Sequence, residues 1–485
     1  MLSNIYKISP VFIKHIWVGL FKSARKFLFL FSKTKAIKRC EKQNIKATHF
    51  SDFQLKRRYG PLKHFCYAPH TSMFFSLHGK MAPCYATYNE KSDVFPERTI
   101  EDSWFKGSFA RIREEHAQCR FTENCSFCFE LFKNKAYGSM LQQKYEHYAF
   151  SKKKYPAIME FELSNRCNLE CIMCDANLSS SIAKATDHIS KNEDIYGEDF
   201  IEQLMEFIPH LQMAEFTGGD PFLIPVYYEI WDLIIRLNPE CDILITTNAN
   251  TMNARIENLM ARTKKLHFNV SIDALTKEKY EAIRVNGKFD NAIKNIDLFN
   301  AYCKKNRTSM NLLVCPMTVN RYEIPDLIKF GNVKDIGVFF HTVVKPQNLS
   351  LKYQSVAFLE ELITYLSSFS FTHKTASEKT NTVNYNNLIL LLESWRDENS
   401  RIVEISAEAN PANIVYERLL TEKDSENLKK IEIVMRHFEE KQLIESVKKV
   451  LNGLDAKILY KSIHTMSIAE LIIFVENELN KHQAK

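Results

Sequence analysis

The stretch Ser164-Asn165-Arg166-Cys167-Asn168-Leu169-Glu170-Cys171-Ile172-Met173-Cys174 sets three cysteines in a C-x3-C-x2-C run, directly after the apolar run Ala157 to Leu163. Three thiolates on one loop can hold three irons of a cubane and leave the fourth iron open. An open iron can bind and activate a substrate or cofactor, whereas a fully ligated cluster only carries electrons. Zinc is the alternative occupant. It normally takes four closed ligands and prefers paired C-x2-C spacings.

Outward from this loop, β-rich apolar runs alternate with helical patterns, the sequence form of a parallel sheet built from βα units. Six strands are expected: Ala157 to Leu163, Met213 to Thr217, Asp242 to Thr247, Leu266 to Asp273, Met310 to Met317 and Gly337 to Val344. Between them, Ile201, Leu204, Ile208 and Leu211 recur at helical spacing after Gly197. Six units predict an α/β fold with a partial (β/α)6 TIM-like barrel. In such barrels the chemistry collects at the C-terminal ends of the strands.

The whole chain of 485 residues is too long for one core, so two or three domains are expected. With 45% hydrophobic and 25% charged residues, neither disorder nor a fibrous repeat is indicated. The net charge of +7 is too small to identify an anionic partner by itself. The 12 cysteines cluster early and none follows Cys315, a distribution that reads as metal ligation. A disulfide framework would need an oxidising compartment. Lys14, Lys22, Arg25 and Lys26 interrupt the early apolar residues, which argues against a signal peptide or a spanning helix and for a cytoplasmic setting.

Four segments follow: a basic leader (1–58), a cysteine-rich unit (59–150), the barrel (151–346) and a mainly helical carboxy-terminal region (347–485). The leader to Cys40 holds nine Lys or Arg and no Asp or Glu. Residues 1–38 are thus a candidate amphipathic helix for an anionic membrane surface, placing the protein at the inner face, or a helix docked on its own protein. No aromatic-basic motif of a known module appears, so nucleic acid is not expected as a partner. The tail offers no ligand cluster.

The cysteine loop, followed after the second strand by Thr217-Gly218-Gly219-Asp220-Pro221, resembles the radical S-adenosylmethionine (SAM) superfamily. The resemblance spans roughly Pro156 to Val344. It implies that Cys167, Cys171 and Cys174 hold a 4Fe-4S cluster and that Gly218, Gly219 and Asp220 contact the methionyl amine, Asp220 standing where Glu is commoner. It further implies that Thr247, Asn248, Ser271, Asp273 and Arg284 line the cofactor pocket. Residue by residue, a turn at the glycines, helix caps at the polar strand ends and a solvated helix-end charge at Arg284 are the structural alternatives. Reductive cleavage of SAM would then yield methionine and a 5′-deoxyadenosyl radical that abstracts hydrogen from an unactivated carbon.

Cys66, Cys84, Cys125 and Cys128 stand beside Tyr67, Phe74, Phe75, Tyr85, Phe127 and Phe129. These four are the expected ligands of a second, auxiliary 4Fe-4S cluster, with Cys119 spare. The unit resembles SPASM and twitch domains, although those usually follow the barrel. A closed four-cysteine zinc site is the alternative. Cys40, Cys241, Cys303 and Cys315 read as buried apolar residues. The resemblance implies a peptide or protein side chain as substrate and an electron donor such as a flavodoxin or ferredoxin. The rivals are radical modification of a small molecule, sugar or lipid head group, and a non-catalytic cluster- or zinc-binding protein.

Overall fold

The computed structural model describes residues 47–57, 62, 64–87, 89, 91–118, 120, 125–133, 135, 137, 140–148, 154–187, 195–371 and 374–407, and, nearer the carboxy terminus, 434, 437, 471, 472 and 474–478. The basic helix expected in residues 1–38, Cys40, Cys119 and most of the tail lie outside the described residues. Contacts divide the chain into two compact units. The first comprises Met1–Cys315, Asp326–His341 and Lys374–Asn381, and the second Pro316–Pro325, Thr342–His373 and Thr382–Lys485.

The first unit is built on a sheet of nine strands: β1 (Ser72–Phe75), β2 (Lys80–Ala82), β3 (Asp93–Val94), β4 (Ile158–Phe161), β6 (Met213–Phe216), β7 (Asp242–Thr247), β8 (Leu266–Ser271), β10 (Met310–Val314) and β11 (Gly337–Phe340). Two short strands, β5 (Glu170–Cys171) and β9 (Arg284–Val285), pair with each other apart from it. The order across the large sheet is β11-β10-β8-β7-β6-β4-β1-β2-β3. From β1 to β11 the neighbours are parallel, while β2 and β3 are antiparallel additions at the edge. All six expected strands are present in an α/β arrangement consistent with a partial barrel, but most are shorter than expected: β10 ends at Val314 rather than Met317 and β11 at Phe340 rather than Val344.

The sheet's two faces follow from side-chain alternation. Residues of β7 and β8 alternate between buried and half-buried along their whole length. On the buried face Phe75, Phe161 and Phe216 stack in a row at centroid distances of 5.4 and 5.0 Å. Phe200, from the helix Glu198–Phe207, meets Phe75 edge-on, and Trp231, from the helix Pro225–Leu237, meets Phe216. These helices put their apolar stripes on that face, as the spacing after Gly197 predicts. Burying two such aromatic side chains contributes on the order of 2–3 kcal/mol each.

One feature was not expected. Strand β1 joins β4 in parallel, so the sheet runs without a break across the boundary placed at residue 150. Ser72-Met73-Phe74-Phe75 is buried at every position and shows no alternation to betray a strand. The cysteine-rich segment thus contributes the sheet's edge as well as its own helices, Ser108–Ala117 and Ser126–Lys133.

The second unit is mainly helical in its described part, with the helix Val356–Ser367 capped by Ser355, whose hydroxyl accepts from the Phe358 amide at 3.2 Å. Tyr385 donates to the Leu366 carbonyl at 2.7 Å and fixes the next helix against it. Among the described residues no helix is long and apolar enough to cross a membrane.

Candidate active site

The loop after β4 carries Cys167, Cys171 and Cys174, all half-buried free thiols. Three consecutive serines hold it. Ser179 donates to the Leu169 carbonyl at 2.7 Å, Ser181 donates to the Cys167 carbonyl at 3.0 Å, and Ser180 Oγ accepts from the Cys167 amide at 3.1 Å. The far side of the loop is stitched by β5 and β9, in which Cys171 pairs with Arg284. Burial pushes all three thiols up, Cys174 to about 12, and the like charges of Cys171 and Cys167 add to the effect at Cys174. Loading a metal cluster must therefore release protons.

The glycine motif explains itself sterically. A Cβ on Gly219 would stand 2.1 Å from the Arg166 carbonyl oxygen, and one on Gly218, at φ +114°, would stand 2.4 Å from the Ser164 carbonyl oxygen. Both glycines are thus required for the β6 loop to lie against the backbone of the cysteine loop. Their amide partners agree: Gly219 N donates to Ser164 O at 3.0 Å and Asp220 N to Arg166 O at 2.7 Å.

Asp220 is fully buried, and its carboxylate accepts from Thr247 Oγ1 and the Asn248 amide, both at 2.8 Å, and from the Phe222 amide at 3.1 Å. It straps the end of β7 to the glycine loop. Asn248 Nδ2 then donates to Asn168 Oδ1 at 2.9 Å, reaching the cysteine loop itself. Capping does not account for Thr247 and Asn248, because the following helix, Ala254–Arg262, is capped by Asn253.

Asp273 and Arg284 form a buried ion pair at 2.7 Å, with side-chain exposures of 0% and 8%. A solvated helix-end charge is therefore ruled out for Arg284. Its Nη1 lies 3.9 Å from Cys171 Sγ, and this cation opposes the upward shift of that thiol. Asp273 also accepts from the Cys315 amide at 2.7 Å. Cys315, expected as a scattered buried residue, is half-buried at the end of β10, near enough for Cys171 and Cys174 to act on it electrostatically. Ser271 is half-buried at the end of β8.

The four cysteines expected of the second site converge, while Cys241 and Cys303 are buried elsewhere. Cys66, Cys84, Cys125 and Cys128 line one pocket together with His116, whose Nε2 lies 3.3 Å from Cys125 Sγ. Burial pushes Cys66, Cys84 and Cys128 up, Cys84 to about 12, and the Cys84, Cys125 and Cys128 thiols add to the shift at Cys66. Among the described residues no three His, Cys, Asp or Glu side chains are gathered closely enough to hold a single metal ion. β2 runs antiparallel to β1, with Ala82 opposite Phe74, so Cys84 lies toward the N-terminal end of the parallel strands. The two cysteine groups thus sit at opposite ends of the β1–β4 pair. His116 and Ser179 to Ser181 belong to no motif of the sequence, and Cys315 stands there among the scattered cysteines.

Residues 161–331 match the Radical SAM superfamily. Among curated proteins, the chain is similar to the GTP 3′,8-cyclase of Listeria welshimeri (26% identity, 38% of this chain and 52% of that protein). It is also similar to that of Clostridium botulinum strain Hall (25%, 42% and 55%) and to a probable GTP 3′,8-cyclase of Methanocella arvoryzae (28%, 29% and 42%). The chain spans about half the length of these relatives. Among solved structures it is similar to native anSMEcpe with bound AdoMet (20% identity, 44% of this chain and 60% of that one, TM-score 0.34). Streptococcus suis SuiB bound to S-adenosylmethionine gives 17%, 50% and 59%, with a TM-score of 0.33. With its three-cysteine loop after β4 and its glycine motif after β6, the stretch 161–331 is a radical SAM superfamily domain, of the family that works with a 4Fe-4S cluster and S-adenosylmethionine.

Proposed function

We propose that this chain is an enzyme that reductively cleaves S-adenosylmethionine and abstracts hydrogen from a substrate, in first reading a peptide or protein side chain. The observation that carries the proposal is the loop of Cys167, Cys171 and Cys174, held open by Ser179 to Ser181 on one side and by Arg284 on the other. These three thiols would hold a 4Fe-4S cluster, which with bound SAM supplies the electron and the 5′-deoxyadenosyl radical.

The chain's own residues then hold and orient. Gly218 and Gly219 bring main chain close to the loop, Asp220 fixes Thr247 and Asn248 beside it, and Asp273 keeps the Arg284 cation facing Cys171. Ser271 ends β8 on the same side of the domain. A flavodoxin or ferredoxin is the proposed electron donor.

Cys66, Cys84, Cys125 and Cys128 are proposed as ligands of an auxiliary cluster. The pocket they share supports this reading, and His116 beside Cys125 would tune it. A nucleotide substrate is the second reading, favoured by the relatives named GTP 3′,8-cyclase.

The test is anaerobic reconstitution with iron and sulfide, reduction by dithionite in the presence of SAM, and chromatography for 5′-deoxyadenosine. Wild-type protein should produce it; the triple variant Cys167→Ala, Cys171→Ala, Cys174→Ala should not, and should lose about four irons per chain. Production by the triple variant would refute the assignment. The same variant reports on the second site, where about four irons and four sulfides should remain. Stoichiometric zinc without sulfide there would defeat the auxiliary cluster.

A further inference from the structure

The half-buried face of the sheet carries a continuous polar row at one register level. Thr246 of β7 is paired with Asn269 of β8, Asn269 with Asn311 of β10, and Asn311 with Gly337 of β11. In the other direction Glu160 is paired with Glu215, and Glu215 with Leu244. Two residues further along each strand, Glu162 therefore stands level with Thr217 and Thr217 level with Thr246. Glu162 continues the ladder, its amide donating to the Phe75 carbonyl at 2.8 Å, so side-chain alternation applies to it. Leu163, next in line, is buried on the apolar face, where its amide meets Tyr227 Oη. Glu162 thus points to the polar face, five residues before Cys167.

Carried through β1 and β2, the row reaches Ser76 and then Lys80, whose ammonium donates to the Asn89 carbonyl at 2.8 Å. Lys144 is held one level below by Glu160 and Glu215, both at 2.6 Å, and Arg284 above by Asp273. Among the described residues no ion pair or hydrogen bond engages the Glu162 carboxylate. Asn311 Nδ2 and Asn269 Oδ1 bond to each other at 3.0 Å, which leaves further donors and acceptors of both amides to face outward. Gly337 is required beside them, since a Cβ there would stand 2.8 Å from Asn311 Oδ1. From Thr217 to Asn311 the row is thus a neutral hydrogen-bonding surface, with the Glu162 carboxylate beside it and the Lys80 ammonium beyond already engaged.

We propose that Glu162, Thr217, Thr246, Asn269 and Asn311 form the substrate-recognition face of this domain, and that Glu162 receives the ammonium or guanidinium group of a basic peptide side chain. The proposal rests on the radical-enzyme reading above and adds the substrate class. Thr and Asn side chains match the alternating donors and acceptors of a peptide backbone, and a carboxylate without a partner selects a cation. A triphosphate would meet the Glu162 carboxylate, and Lys80, the cation level with it, is already held by the Asn89 carbonyl, which weighs against the nucleotide reading. Burial pushes Glu162 up to about 7, so a cation placed there restores its ionised form.

Binding tests this separately from turnover. Fluorescein-labelled, end-blocked pentapeptides that differ only in a central lysine, norleucine or glutamate are titrated into the full reconstituted chain without reductant, and anisotropy is read at pH 7.5. The lysine peptide should bind at least about tenfold more tightly than norleucine, as a charge-assisted bond in a half-buried site allows, and glutamate more weakly than both. Glu162→Gln should erase the lysine preference. Glu162→Asp should retain part of it and serves if the Gln variant misfolds. Equal binding of lysine and norleucine, a preference that survives Glu162→Gln, or no binding of any peptide would overturn the proposal. Formation of 5′-deoxyadenosine by the same preparation shows that such a failure belongs to the substrate assignment and not to the radical chemistry.

Discussion

Replacing Asp220 by Asn tests whether this residue holds the site together before any cofactor arrives. Its Oδ2 accepts from Thr247 Oγ1 and the Asn248 amide at 2.8 Å, and its Oδ1 from the Phe222 amide at 3.1 Å, all in a fully buried position. An amide can present its oxygen to only one side. If the NH2 replaces Oδ2, the Thr247 hydroxyl can turn and accept, but the Asn248 amide faces a donor; if the amide flips, the Phe222 amide is orphaned instead. Either way one buried N–H loses its acceptor, at a cost of about 1–3 kcal/mol. Asp220→Ala orphans both amides and opens space, for roughly twice that. In thermal melts of the full chain without SAM, Asp220→Asn should therefore lower the midpoint by a few degrees at most, about 1.5 °C per kcal/mol for a unit of this size, and Asp220→Ala by more. Proteolysis at the cysteine loop should quicken in the same order. A melting point unchanged from wild type, with only SAM binding weakened, would refute the strap and make Asp220 a direct cofactor contact.

Three further outcomes are expected. Arg284→Met leaves Asp273 buried without its cation and should cost about 3–5 kcal/mol in urea unfolding; adding Asp273→Asn should recover much of this, and no recovery would contradict the pairing. Glu162, with Tyr196 and Tyr227 as its titratable neighbours, has a folded pKa raised from 4.5 to about 7, so the folded state binds the extra proton and stability should fall as pH rises from about 4.5 to 7. Glu162→Gln should accordingly match wild type near pH 4 and gain at most about 3 kcal/mol by pH 8, a difference that denaturant melts across this range would read; a flat difference would contradict the shift. Gly219→Ala drives a Cβ into the Arg166 carbonyl and should reduce cluster loading, measured as iron per chain, while Gly197→Ala, which meets nothing within 4 Å, should leave loading unchanged.

Much of the domain was legible along the chain. The six strands β4, β6, β7, β8, β10 and β11 announced themselves by apolar runs and periodicity, and the C-x3-C-x2-C and Gly-Gly motifs by spacing, because all of these are set by residues within a few positions of one another. β1 was missed because its four residues are buried on both faces and so carry no period. The polar strand ends, which helix capping could equally explain, were separated from that alternative only when Asn253 took the cap and Thr247 turned to Asp220.

What the tertiary structure alone decided are contacts between residues far apart in sequence. Gly219 must lack a side chain because of Arg166, 53 positions earlier by their numbers; Arg284 is buried because Asp273 and the Cys171 strand close on it; His116 joins the four early cysteines through a pocket that no spacing encodes. The row from Glu162 to Asn311 is of the same kind. Each residue is an ordinary polar position in its own strand, and only parallel register, set by the packing of the aromatic face against its helices, brings them level.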